Sequence, residues 1–273
     1  FACAIILAVS SFGLEASAHT IADSGRWVTE KEVEWQKPTE IVKMETQEKQ
    51  FIMSTKTKAG KINNLYFSFP TEGGVRFHAD DTGFWNPKEL SVIKYTSEGA
   101  ATVMQANGTK VKVYSTASPW RFEVYNANDE MVIWFLADDM YFGYDADGNL
   151  AKVKIASAVD ENETLFGLGE RFGGFVQNGN SVEMWNYDSF SQLRRSYGDQ
   201  NVGYKNVPIL HSNNGYTLFH NNTYYGVVDV ADSKKDECSF EFNSSILDMY
   251  VWTGSTLENI DSYSKLTGSS VTI

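Results

Sequence analysis

The sequence predicts an all-β protein, with residues 19–253 forming one antiparallel β-sandwich. Segments of alternating apolar and polar residues recur about every 8 to 12 residues, and no helical pattern separates them. Short clusters of Asn, Asp and Gly between these segments are turn signals. Of the 273 residues, 42% are hydrophobic and 14% aromatic, so the chain can bury a sizeable core.

The predicted strands follow the chain as hairpins. Residues 102–106 and 110–115 flank Asn107-Gly108, the strongest short hairpin signal, and a five-residue polar turn joins 120–125 to 131–136. Residues 145–149 resemble a calcium loop, but Gly148 stands two places too early, so a hairpin turn is expected. The other predicted strands are 65–69, 74–78, 90–95, 151–156, 216–220, 224–230, 239–243 and 247–252.

One helix is expected near the end of the sequence. Ser255 and Glu258 fit a capping box, and Gly268 stands where a helix stops. The apolar positions between them have helical spacing: Leu257, Ile260, Tyr263 and Leu266. We expect residues 254–273 to connect the sandwich to a further domain.

The first 18 residues predict a partial signal peptide. An apolar run over residues 1–14 is followed by Ala16-Ser17-Ala18, a cleavage pattern, so we expect a secreted or periplasmic protein. Without an initiator Met or a basic segment before the run, we expect the sequence to begin inside the signal. The alternative is a buried N-terminal helix or strand. A membrane span is not expected, because the run is shorter than a bilayer requires.

Charge and cysteine content exclude several function classes. The net charge of −12 argues against nucleic acid and anionic membranes as partners. Cys3 lies in the apolar run, so Cys238 is alone in the body of the chain, and neither a disulfide framework nor a cysteine zinc site can form within it. We predict no metal and no cofactor.

Residues 165–228 carry the most informative chemistry. Gly167 and Gly169 do not form a phosphate-binding loop, because Glu170 follows them where a third glycine would open a helix. We expect Glu170 and Arg171 to form a structural ion pair or backbone clamp. Trp185 with Asn186 and Asp188 offers an aromatic face, an amide and a carboxylate, which are the groups that sugar recognition uses. The alternative is a core tryptophan and a turn-capping aspartate.

Four segments together resemble a known family. GLGERFGGF, NGNSVEMWNYD, YKNVP and GYTLF resemble the N-terminal domain of glycoside hydrolase family 31, the α-glucosidase and α-xylosidase family, and most closely its α-xylosidase branch. The resemblance implies a galactose-mutarotase-like β-sandwich followed by a (β/α)8 barrel, with residues 254–273 as the connector. It also implies retaining hydrolysis of terminal α-xylosides or α-glucosides.

The resemblance also implies which residues act on the substrate. The family's nucleophile lies in a barrel motif that does not occur here, so no catalytic residue is assigned and this chain is expected to be inactive alone. Asp188 is expected to accept hydrogen bonds from sugar hydroxyls, while Trp185 and Asn186 position its loop. Between Asp188 and Tyr204 the loop is longer than in the family pattern, and Ile-Leu-His211 after Pro208 also departs from it. Xylose and glucose therefore both remain open.

The expected partners are an oligosaccharide or glycoside substrate and the protein's own C-terminal barrel. One alternative is a stand-alone carbohydrate-binding or mutarotase-like sandwich, in which a histidine and a glutamate act as acid and base. The histidines available for that role are His78, His211 and His220. The other alternative is a secreted structural interaction domain.

Overall fold

The computed structural model describes residues 19–21, 27–29, 31–79, 87–171, 174–186 and 205–268. The helices in these ranges are a 3-10 turn, Ala137–Asp139, and one α-helix, α1 (Thr256–Thr267). The strands in chain order are β1 His19–Ile21, β2 Trp27–Thr29, β3 Glu34–Gln36, β4 Pro38–Thr46, β5 Phe51–Thr57, β6 Ile62–Ser68, β7 Gly74–His78, β8 Lys94–Glu98, β9 Ala101–Ala106, β10 Thr109–Tyr114, β11 Arg121–Tyr125, β12 Met131–Leu136, β13 Met140–Tyr144, β14 Leu150–Ala158, β15 Leu165–Gly167, β16 Asn180–Met184, β17 Ile209–Ser212, β18 Tyr216–His220, β19 Gly226–Val230, β20 Glu237–Phe242 and β21 Asp248–Thr253.

The chain divides into two compact units, residues 1–32 and 33–273. In the first unit, β1 and β2 form an antiparallel pair in which His19 lies opposite Thr29. The predicted signal peptide, residues 1–18, lies outside the described residues.

The described residues of the second unit form three antiparallel sheets. Their strand orders are β12-β11-β10-β9-β8, β16-β19-β20-β14-β13-β3 and β15-β17-β18-β21-β7-β6-β5-β4. The Asn107-Gly108 hairpin forms as predicted: both residues have positive φ, +50° and +76°, and Ala106 pairs with Thr109. The predicted all-β antiparallel fold is confirmed.

Aromatic side chains join two of the sheets across the core. Phe67 and Phe77 come from the eight-stranded sheet, and Phe122 and Phe135 come from the five-stranded sheet. The Phe77 ring lies 5.0 Å from Phe122 and 5.1 Å from Phe135, edge to face, and all four side chains are buried. Such pairs contribute about 0.5–1.5 kcal/mol each beyond the area they bury.

Two predicted strands differ from those observed. Of the strand predicted over 90–95, only Lys94 and Tyr95 are in a strand, at the start of β8. Residues 90–93 are not, because Ser91 N donates to Phe69 O and Ile93 N to Glu48 O, which draws this segment away from any ladder. Tyr224 and Tyr225 also lie outside the strand predicted over 224–230, since a turn held by the Asn222 side chain precedes β19.

Helix α1 begins at the predicted capping box. The Ser255 side chain accepts from Glu258 N, and the Glu258 carboxylate accepts from Ser255 N at 2.9 Å. Only part of the predicted apolar face is buried: Tyr263 packs edge-on against Phe219 at 5.3 Å, and Leu266 is buried, whereas Leu257 and Ile260 are exposed. The apolar contacts of the helix therefore come from its C-terminal half, while Asn259, nearer its start, is buried and donates to Thr217 Oγ1 on β18 at 3.0 Å.

Candidate functional site

The glycine-rich segment that follows β15 lies directly against the chain at 205–209. A Cβ at Gly167 would stand 2.5 Å from Ile209 O, and one at Gly169 would collide with Lys205 O. Both glycines have positive φ, +134° and +92°, which other residues adopt only under strain. Glycine is therefore required here for close backbone approach.

Arg171, at the end of this segment, is the backbone clamp that the sequence predicted. Its Nε donates to Leu168 O at 3.1 Å, and its Nη2 donates to Glu183 O at 3.1 Å and to the Asn206 side-chain oxygen. Burial lowers the pKa of Arg171 to about 10, so the guanidinium stays protonated at neutral pH. Glu170 instead forms an exposed ion pair with Lys205 at 3.3 Å.

Asn186 and Asn206 meet beside this clamp. Asn186 Oδ1 accepts from Asn206 N at 2.6 Å and from Asn206 Nδ2 at 2.8 Å. Trp185 leaves the end of β16 half-buried, and its ring lies 5.9 Å from that of Tyr225 in an edge-to-face arrangement. The structure thus brings two of the three predicted site residues, Trp185 and Asn186, to one place.

A cleft of about 410 Å³ opens at these residues. Its aromatic lining comes from Trp185, Phe219, Tyr224 and Tyr263, and its amide lining from Asn186, Asn206, Asn221 and Asn222. Among the described residues that line it, no side chain is charged. A neutral ligand with apolar faces and hydroxyl groups fits this chemistry. Its apolar faces can pack on the aromatic side chains, and its hydroxyl groups can hydrogen-bond to the amides, which both donate and accept.

A short turn holds Tyr224 at the edge of the cleft. Asn222 Nδ2 donates to Ile246 O at 3.1 Å, and Asn222 Oδ1 accepts from Tyr224 N at 2.9 Å. The Tyr224 side chain is 51% exposed there. Sequence reasoning missed this residue by placing it in a strand, although Asn222 two positions earlier is a typical turn signal.

The third predicted site residue, Asp188, lies outside the described residues, as do Arg194, Arg195 and Tyr197. Sequence reasoning also missed Asn206 as a site residue. The YKNVP motif that contains it contributed only to the resemblance, and no local signal pairs Asn206 with Asn186, 20 positions earlier.

The three candidate histidines of the mutarotase-like alternative are nearly buried. His78 Nδ1 lies 2.7 Å from Ala79 O, and His211 Nδ1 lies 2.8 Å from Thr217 Oγ1. His220 is fully buried against the ring of Phe242. This burial gives the acid–base alternative no support.

The described residues show neither a metal cluster nor a membrane-spanning helix. They contain no cluster of three or more His, Cys, Asp or Glu side chains that could hold a metal ion. None of the helices in the same ranges is long and apolar enough to cross a membrane.

Comparison with known proteins identifies relatives of the chain. It is 30% identical over 129 residues to the α-xylosidase XylQ of Lactiplantibacillus pentosus, covering 47% of this chain and 16% of that protein. It is 25% identical over 233 residues to the isomaltosyltransferase of Sporosarcina globispora, covering 80% of this chain and 20% of that protein. The chain thus spans about a fifth or less of the length of these relatives.

Solved structures share the fold. The cycloalternan-forming enzyme from Listeria monocytogenes, solved with a pentasaccharide substrate, aligns over 88% of this chain and 23% of that chain with a TM-score of 0.75 and 20% identity. Residues 64–229 match the model of the glycosyl hydrolase 31 N-terminal galactose mutarotase-like domain. This match covers more than half of the chain and agrees with its antiparallel sheets, so the chain belongs to glycoside hydrolase family 31 and carries the family's N-terminal galactose mutarotase-like domain.

Proposed function

We propose that this chain is the N-terminal, substrate-loop-bearing part of a retaining enzyme that acts on terminal α-xylosides or α-glucosides. The observation that carries the proposal is the cleft beside Trp185 and Asn186, which combines aromatic and amide side chains. Its volume of about 410 Å³ lies within the roughly 300–1,000 Å³ typical of small-molecule sites. The described part of its lining carries no charge, which suits a neutral sugar.

Each predicted site residue has a role in this proposal. The Trp185 ring and the Asn186 amide form one wall of the cleft, and Asp188, two residues further along the chain, accepts hydrogen bonds from the sugar hydroxyls. A carboxylate that binds hydroxyl groups and water carries no desolvation penalty of the kind that an unpaired buried charge does.

The reaction follows the retaining scheme. One carboxylate attacks the anomeric carbon while a second protonates the leaving oxygen, which gives a glycosyl-enzyme. Water or another sugar hydroxyl then loses its proton to the second carboxylate and attacks the anomeric carbon, which frees the first carboxylate. Transfer is included because one relative is an isomaltosyltransferase. We assign both carboxylates to a C-terminal barrel beyond this chain, so the chain alone is inactive.

An exposed apolar surface supports the presence of that barrel. Phe175 is 75% exposed, Leu257 79% and Ile260 42%. Phe175 and Ile260 line one groove of about 630 Å³. Exposed apolar surface of this kind is typical of a face that another domain covers.

We also propose that the protein is secreted or periplasmic, with cleavage after Ala18. Mass spectrometry of the exported protein should find His19 as its first residue. A mature protein that retains residues 1–18 would contradict this part of the proposal.

Enzyme kinetics on the intact protein test the main proposal. Trp185→Ala and Asp188→Asn should each lower kcat/KM for p-nitrophenyl α-xyloside or α-glucoside about ten- to a hundred-fold, as expected when a hydrogen bond or stacking contact to the sugar is lost. Trp35→Ala is the matched control, because Trp35 is a partly exposed tryptophan on β3 that packs edge-on against Tyr141 at 6.3 Å. Equal kcat/KM in all four proteins, or a loss that only follows a lowered unfolding midpoint, would contradict the assignment.

A further inference from the structure

Three polar side chains form a hydrogen-bonded series at the cleft: Arg171, Asn206 and Asn186. Arg171 carries only hydrogen-bond donors, so the Asn206 atom that it contacts must be the oxygen. This fixes the orientation of the Asn206 amide and directs its Nδ2 toward Asn186 Oδ1, at 2.8 Å. Arg171 therefore determines the orientation of the Asn206 amide, and Asn206 determines the orientation of the Asn186 amide.

Asn186, the last residue of this hydrogen-bonded series, lines the cleft. Its oxygen is occupied by two donors, Asn206 N and Asn206 Nδ2. Its Nδ2 has no hydrogen-bond partner among the described residues, so it remains available as a donor. The direction of the hydrogen bonds, set at Arg171, thus decides which atom of Asn186 is left for a ligand.

We propose that Arg171 and Asn206 are positioning residues that present Asn186 Nδ2 to a sugar hydroxyl oxygen and hold the adjacent Trp185 in the cleft. The inference rests on the proposed function of the cleft, and it identifies the residues that hold Asn186 and Trp185 in position. Arg171 does not line the cleft, and the role assigned to both residues is exerted through Asn186.

The hydrogen bonds of the half-buried Arg171 make this support rigid. Its guanidinium contacts three acceptors on three separate segments: Leu168 O, Glu183 O and Asn206 Oδ1. A lysine provides charge without the planar fork, so it cannot hold all three acceptors in the same geometry.

Asn206→Asp is the most selective variant. It keeps the oxygen that accepts from Arg171 but replaces Nδ2, the donor to Asn186. Arg171→Lys tests the first residue of the hydrogen-bonded series. Lys205→Ala is the matched control, because Lys205 neighbours Asn206 but its side chain is 72% exposed and joins only a solvent-exposed ion pair with Glu170.

The first measurement uses the 273-residue chain with ¹⁵N-labelled tryptophan. The indole signal of Trp185 is assigned as the one missing in Trp185→Phe. Asn206→Asp and Arg171→Lys should shift or broaden this signal, and Lys205→Ala should leave it in place. If neither clamp variant alters the Trp185 signal while the chain stays folded by urea denaturation, the positioning role is wrong.

The second measurement uses the intact protein with an aryl α-xyloside or α-glucoside. Asn206→Asp should raise KM about tenfold and leave kcat within about twofold, because the lost contact binds ground state and transition state alike. An unchanged KM, or a loss of activity that only tracks the unfolded fraction, would overturn the inference. If the wild-type protein shows no activity on such glycosides, the proposed function fails, and the Trp185 signal still decides whether the clamp positions the cleft.

Discussion

His220 gives the fold a pH dependence that can be calculated from its surroundings. The residue lies on β18 with no exposed surface, and its ring stacks on Phe242 at 4.5 Å. Neither ring nitrogen has a hydrogen-bond partner among the described residues. Because this site offers no partner for a charged ring, burial lowers the pKa of His220 from 6.5 to about 3.

The sign and size of the effect follow from proton linkage. Below pH 6.5 the unfolded chain binds a proton at His220 that the folded chain does not bind until about pH 3, so the stability of the folded state falls as the pH falls. Each pKa unit is worth about 1.4 kcal/mol. The loss should therefore be about 2 kcal/mol at pH 5 and about 4 kcal/mol at pH 3, where the folded His220 is itself half protonated.

Urea denaturation at pH 7 and pH 5 measures this loss. His220→Leu and His220→Phe should each lose about 2 kcal/mol less than the wild-type protein between these two pH values, whatever their stability at pH 7. Phe240→Leu, a packing change beside His220 without a titrating group, is the control and should keep the full loss. An equal loss in wild-type and His220 variants would refute the reasoning, as would an NMR titration that places the pKa of His220 near 6.

Three further predictions concern other parts of the chain. Asp248→Ala should lower the free energy of unfolding by about 3–5 kcal/mol, because it removes the buried carboxylate that accepts from Arg76 Nε at 2.6 Å and from Arg76 Nη2 at 2.9 Å. Lys234→Ala, which breaks an exposed pair with Glu237, should change the free energy of unfolding little, and similar effects of the two substitutions would be inconsistent with this argument. Ser255→Ala should cost about 0.5–2 kcal/mol in the same assay by removing the N-cap of α1, and an unchanged midpoint would show that the cap contributes nothing. The 273-residue chain alone should release no p-nitrophenol from aryl α-xylosides or α-glucosides above a matched blank, and measurable release would contradict the placement of both carboxylates in a barrel.

Local signals in the sequence predicted the local structure well. The Asn107-Gly108 hairpin and the Ser255–Glu258 capping box depend on backbone geometry within a few residues, and both form as expected. Strand β4 was missed because its exposed positions mix apolar and charged residues, Val42 and Met44 with Glu40 and Lys43, and its pairing with β5 is irregular, so no clean alternation marks it. Residues 90–93 were wrongly predicted as strand because hydrogen bonds to distant backbone groups, at Phe69 and Glu48, decide their path.

The sequence selected two of the residues that line the cleft, but not Asn206 or Tyr224, and not how the cleft is built. Trp185 and Asn186 could be selected by residue type, since aromatic rings and amides are suited to sugars. The clamp joins Arg171 to Asn206, 35 positions later, and Asn206 to Asn186, 20 positions earlier. Neither spacing follows a helix or hairpin rule, so only the folded sheets reveal it.

Strand β4 lies at one edge of the eight-stranded sheet, and its irregularity affects how separate molecules meet. An edge strand with free backbone groups can pair with the edge of another molecule and start aggregation. Val42 and Met44 are exposed on β4 and would favour this on a regular edge. Two register shifts, between Pro38 and Glu40 and between Ile41 and Lys43, interrupt the ladder, and the proline lacks an N–H group. The folded molecule therefore offers no continuous template at this edge, which protects it from strand-to-strand association at high concentration.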